Sequence, residues 1–98
     1  MKNPIGNLHK VFDSRIRLGI MSALMVNDTI DFNALKELLE LTDGNLASHL
    51  KALELQEIIL VSKQFVGRKP STTYMATKLG KDLFRQHLNA LEELINKQ

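Results

Sequence analysis

The chain has 98 residues and a net charge of +2, with 44% apolar and 24% charged positions, which fits one soluble domain with a single modest core. It has no cysteine, which excludes disulfides and thiolate metal sites. No apolar run nears the roughly 18 residues of a membrane span, and Met1–Asn7 lacks the apolar stretch of a secretory signal, so a cytoplasmic domain is expected.

In chain order, Leu8, Val11 and Phe12 predict one or two N-terminal helical turns. Asp13 or Ser14 is placed to cap a helix running through Met25. That helix is apolar around most of its circumference and is expected to be buried on several sides. Asn27-Asp28 reads as a turn, and Thr29–Phe32 as a short extended piece at a sheet edge. Asn33 is the expected cap of the next helix, Ala34–Glu40, with Leu35, Leu38 and Leu39 on its inner face. Thr42 caps a third helix, with Asp43 in its first turn facing the positive end of the helix dipole.

Two short helices with so brief a connection suggest a helix-turn-helix. Ile58–Phe65 and Ser71–Ala76 are strand candidates, rich in β-branched and apolar residues. Between them Val66–Pro70 forms a turn, with Gly67 permitting it and Pro70 restricted to a strand start or an edge. The result is a β-hairpin with Arg68 and Lys69 at its tip. Thr77 caps a long final helix to about Ile95. The fold class is therefore α+β, mostly α: a helix-turn-helix followed at once by a basic-tipped hairpin, which is a winged helix.

The segments DFNALKELLELTDGNLASHLKALE (Asp31–Glu54) and FVGRKPSTTYMAT (Phe65–Thr77) strongly resemble the small single-domain winged-helix transcription regulators related to the MarR and ArsR groups. The resemblance covers about Leu8 to Leu88. It implies a dimeric, sequence-specific DNA-binding regulator whose recognition helix, about residues 43–55, enters the major groove. The wing, about residues 65–72, would meet flanking DNA. Three positions depart from the family pattern. Glu57-Ile58 stands where Gly and an aromatic residue are usual, Lys51-Ala52 where two cations are frequent, and Ser71 where a cation often follows the wing proline.

Charge distribution agrees with a polyanionic partner. Gly44–Arg85 holds seven basic and three acidic residues, a net +4, against +2 for the whole chain. Within the third helix, a step of about 100° per residue sets Leu46 at 0° with Leu50 and Leu53 near 40° and −20°, the buried side. Lys51, Gly44, Ser48, Ala52 and Asn45 then spread from about 140° to 260°, on the outer face. His49, near −60°, sits on the flank. Asn45 and Ser48 both donate and accept, so they are the candidates for base edges. Lys51, Arg68 and Lys69 are the candidates for phosphate, and Thr42, Gly44, His49, Ser71 and Thr72 complete the expected DNA-contacting set.

Leu83, Phe84, Leu88, Leu91, Leu94 and Ile95 form an apolar stripe on the final helix. A second copy is expected to cover it, with an interface of Leu8, Val11, Phe12, Phe84, Leu88, Leu91, Leu94 and Ile95 within residues 78–98 and the N-terminal turns. Such a dimer would present two helices to a palindromic operator. Enzymatic readings find little: Ser48 and His49 are adjacent on a helix and point about 100° apart, and the glycines are scattered singly. His9, His49 and His87 lie far apart, which disfavours a metal site, although His9, Asp13 and His87 from two copies could converge. No cofactor is expected, and no effector is specified. The alternative reading is a winged-helix protein-interaction module whose basic wing serves an acidic partner.

Overall fold

The computed structural model describes residues 3–96 of the chain. Two 3-10 turns, Pro4–Asn7 and Lys10–Phe12, lead into helix α1, Arg15–Val26. Of the two possible caps Ser14 is used, its hydroxyl accepting the Arg17 N–H at 3.3 Å. The two-residue strand β1, Ile30–Asp31, precedes helix α2, Phe32–Leu39, and helix α3, Asp43–Leu55. Strands β2, Ile59–Val66, and β3, Lys69–Ala76, form the wing, and helix α4 runs Lys78–Asn96. No helix among the described residues is long and apolar enough to cross a membrane.

The cap of α2 is Asp31, not Asn33. The Asp31 carboxylate accepts the Ala34 N–H at 2.7 Å, so the helix begins at Phe32. The reason is long-range: Ile30 and Asp31 pair with Tyr74 and Thr73, which holds the backbone extended through Asp31 and fixes where the helix can start. Thr42 caps α3 as expected, accepting the Asn45 N–H at 3.2 Å.

The three strands form an antiparallel sheet in the order β1-β3-β2. Val66 pairs with Lys69, leaving Gly67 and Arg68 as a two-residue turn. Gly67 has φ +67° and Arg68 no positive φ, the pattern of a II′ hairpin turn that glycine alone enters without strain. Alternation along an antiparallel ladder puts the next pair, Phe65 with Pro70, in the non-hydrogen-bonded class, where proline's missing N–H costs nothing.

Side chains from every layer meet in one core: Ile20, Met21 and Leu24 of α1, Leu35 of α2, Leu46, Leu50 and Leu53 of α3, and Ile58, Ile59 and Tyr74 near the sheet. The N-terminal turns lie against α4, where Phe12 packs edge-on to Phe84 at 5.2 Å and to His87 at 5.3 Å. This corrects the expected interface: Phe12 and Phe84 are 1% and 2% exposed within the single chain, so neither has surface to give a second copy.

The radius of gyration, 14.9 Å, exceeds the about 13 Å of a compact chain of this size. The exposed wing and the exposed last turns of α4 account for the excess.

Candidate nucleic-acid interface

Helix α3 buries Leu46, Leu50 and Leu53, and the rest of its circumference is set by that anchoring. Gly44, Asn45, Ala47, Ser48 and Lys51 are exposed, whereas His49 and Ala52 are half-buried. The end of α2 sets the angle of approach. Glu40 is left-handed at φ 53°, and the Leu41 N–H reaches back to the Lys36 carbonyl at 3.1 Å. Across the turn, Lys36 pairs with Asp43 at 2.7 Å, a contact exposed enough to contribute little stability. It also takes up the negative charge nearest the start of α3.

The far end of α3 explains one departure from the family pattern. Glu57 is left-handed, at φ 59°. Its N–H bonds the Glu54 carbonyl at 2.9 Å, and the Ile58 N–H bonds the Leu53 carbonyl at 3.0 Å. This is the helix stop that glycine serves best. The Thr77 hydroxyl then donates to the Glu57 carbonyl at 2.7 Å, with the Ile58 carbonyl at 3.1 Å, and accepts the Gly80 N–H at 2.9 Å. One threonine thereby ties the end of α3, the start of β2 and the start of α4 together.

Strand register sorts the wing into two faces. Ile59, Val61, Lys63 and Phe65 stand opposite Ala76, Tyr74, Thr72 and Pro70, and the buried members of that set show that this face continues the core. A shallow cleft lined by Ala47, Lys51, Glu54, Val61, Lys63 and Tyr74 joins it to α3. Thr72 belongs to this face and Ser71 to the opposite one, so two residues expected together are separated. Lys63 and Phe65, which sequence reasoning passed over, lie on the α3 side; Phe65 is 77% exposed at the tip beside Arg68 and Lys69. The period-two alternation of β2 could have found them once the buried face was known.

Among the described residues the only ion pairs lie on α2–α3 and within α4, so Lys51, Lys63, Arg68 and Lys69 form none. Glu54 is the opposing anion in the cleft: burial, and then the Glu54 carboxylate, raise the Tyr74 hydroxyl above its usual 10.0. His49 is tied to α1, its Nδ1 accepting from Arg17 Nε at 3.0 Å, and the Arg17 Nη1 donates to the Val11 carbonyl at 3.2 Å. Burial, and then the Arg17 charge, lower His49 below 6.5, which keeps the ring neutral near neutral pH.

At the other end of the molecule, Leu88, Leu91 and Ile95 are exposed along α4, with Leu8, Val11 and Leu94 half-buried. His9 and His87 do converge, but through hydrogen bonds. The His9 backbone N–H donates to His87 Nδ1 at 3.0 Å, and His9 Nε2 meets Gln86 Oε1 at 2.6 Å. No group of three metal-ligating side chains occurs among the described residues.

Residues 16–95 match the family described as winged helix DNA-binding domain. An uncharacterized protein of Methanocaldococcus jannaschii is 34% identical over 85 residues, covering 87% of this chain and 92% of its own length. A solved transcriptional regulator homologue from Pyrococcus horikoshii OT3 is 29% identical with a TM-score of 0.79, covering 94% of this chain and 96% of its own. The YusO protein of Bacillus subtilis, at 14% identity and a TM-score of 0.81 over 97% of this chain and 67% of its own, shares the fold. The matched family is a DNA-binding one, and the Pyrococcus horikoshii structure is that of a transcriptional regulator homologue rather than an enzyme.

Proposed function

The chain belongs to the winged helix DNA-binding domain family, and we propose that this DNA-binding regulator reads a specific double-stranded sequence as a homodimer. One observation carries the reading: the outer face of α3 is exposed and small, and beside it stands a wing whose cations form no ion pair among the described residues. In this reading α3 enters the major groove. Gly44 lets the groove edge approach, and Asn45 and Ser48 meet base edges with both donors and acceptors. Lys51, Arg68 and Lys69 neutralise phosphates, with Thr42 and Thr72 as further backbone contacts. Lys63 and Phe65 join them from the α3 side of the wing, and Ser71 falls outside the contact set.

The second copy covers the end of α4, where Leu88, Leu91 and Ile95 are 42%, 37% and 73% exposed. Leu8, Val11 and Leu94 stand at its margin. Two-fold symmetry then sets the two α3 helices to half-sites about 34–36 Å apart, one turn of the duplex. The protein would act in the cytoplasm.

The test is selection of bound duplexes from a random pool at two salt concentrations. A palindromic motif whose affinity falls steeply with salt is the expected result. Unselective, salt-sensitive retention would reduce the protein to a backbone binder. No retention at low salt would overturn the reading and leave the basic wing to an acidic protein partner.

A further inference from the structure

Arg17 is a half-buried cation on α1, outside the outer face of α3, yet its guanidinium is spent on a residue of that helix. Nε donates to His49 Nδ1 at 3.0 Å, while Nη1 is held by the Val11 carbonyl at 3.2 Å. A ring nitrogen that accepts a hydrogen bond carries no proton, so in the neutral imidazole the proton sits on Nε2. Among the described residues His49 Nε2 has no hydrogen-bond partner, and no buried side-chain nitrogen is left unsatisfied. Nε2 is therefore open to solvent.

On α3, His49 lies one turn from Asn45, at the i, i+4 spacing that makes helical residues neighbours. It stands on the α1 edge of the exposed face. A surface histidine without such an anchor would sample both tautomers and several ring orientations; here α1 fixes the ring from behind.

We propose that Arg17 is a positioning residue for DNA recognition, holding His49 as a single Nε2–H donor aimed at an acceptor on the duplex next to the Asn45 contact. The acceptor is either a base edge, such as guanine O6 or N7 in the major groove, or a phosphate oxygen. The inference rests on the DNA-reading function above. Arg17 itself touches no DNA in it; its effect passes through the ring it orients. Burial and the Arg17 charge both disfavour the imidazolium, so the donor acts as a neutral group.

Two independent readouts test it. Long-range nitrogen–proton spectra of the free, full-length protein should find His49 in the Nε2–H tautomer, and Arg17→Met should shift it to a mixture. This arm needs no DNA, so it separates a failure of the pair from a failure of the DNA reading. An Nδ1–H tautomer in the wild type would overturn the proposal.

Binding to the selected duplex supplies the second arm. Arg17→Met and His49→Ala should each weaken binding roughly tenfold, about the loss of one well-placed hydrogen bond. The double variant should be no weaker than either single one. Additive losses would overturn the proposal, because Arg17 would then act on the duplex directly or through the fold at large. Urea midpoints of the three variants separate lost affinity from lost structure. Repeating the selection with His49→Ala distinguishes the two acceptors: relaxed preference at one base pair indicates a base edge, and uniform weakening a phosphate.

Discussion

Gly80→Ala is expected to unfold this protein more readily than a methyl group in a helix normally would. A Cβ built on Gly80 lies 2.1 Å from the Ile58 carbonyl oxygen, 2.9 Å from its carbon and 3.0 Å from Ile58 Cγ2. The first of these contacts needs roughly 1 Å of relief, and close-packed interiors do not yield that freely. Nor can the carbonyl swing away cheaply: it accepts the Thr77 N–H at 3.0 Å and lies 3.1 Å from the Thr77 hydroxyl. Overpacking costs about 3 kcal/mol at the upper end of its usual range, and a weakened hydrogen bond adds about 1 kcal/mol. Replacing helical Gly by Ala returns about 1 kcal/mol.

The net loss is about 3 kcal/mol, equivalent to a fall in Tm of roughly 12 °C or more for a domain of this size. Urea unfolding followed by far-ultraviolet circular dichroism measures it, with Gly44→Ala as the contrast. A Cβ at Gly44 meets nothing within 4 Å, so that variant should match or exceed wild-type stability while binding DNA less tightly. A Gly80→Ala protein within about 0.5 kcal/mol of wild type, the size of an ordinary surface substitution, would refute the close approach of α4 to the α3–β2 junction.

Glu57→Gly should stabilise the chain by about 1 kcal/mol in the same assay, since a left-handed residue other than glycine carries a penalty of that order; a destabilised variant would contradict the φ of 59°. Arg68→Ala and Lys69→Ala should each lower the slope of log affinity against log salt by about 1 without altering the selected motif, and an unchanged slope would remove that residue from the interface. His87 provides a pH dependence of stability. Burial lowers it below 6.5, with Asp13 opposing and His9 adding to the shift. Well above pH 6.5 both folded and unfolded chains hold it neutral; as pH falls through 6.5 the unfolded chain takes the proton first, so stability drops until the pH has passed below the lowered folded value. His87→Phe should flatten that acid limb without abolishing it, because His49 is lowered as well. It should also cost about 1–3 kcal/mol at neutral pH by leaving the His9 N–H without its acceptor.

The order of elements was legible because each is written locally. The apolar spacing of Leu46, Leu50 and Leu53 gives α3 its buried side, Thr42 stands where a cap is needed, and Gly67 marks the turn of the wing. What sequence reasoning missed depends on residues distant along the chain. Asp31 and Asn33 are both good caps, and only the pairing of β1 with Tyr74 and Thr73 decides between them. Phe12 and Phe84 looked available to a partner because nothing local reveals that they face each other. Arg17 and His49 are 32 residues apart, so no motif links them. Glu57 was visible as a departure from the family's glycine, and its left-handed backbone gives that departure its physical meaning.

The candidate interface is therefore a connected arrangement rather than a set of independent contacts. Helix α3 is held at its start by Thr42, along its side by Arg17 through His49, and at its end by the Leu53 and Glu54 carbonyls that close on Ile58 and Glu57. The same end is bonded to Thr77, where the wing returns to the core and α4 begins. Wing, α3 and α4 thus share one junction at Thr77. In the proposed dimer α4 carries the two-fold contact, so the separation of the two α3 helices is set by this junction and by the length of α4, Lys78–Asn96. Under that proposal the spacing between half-sites is a property of the fold, while the sequence read within each half-site would belong to the few side chains exposed on α3.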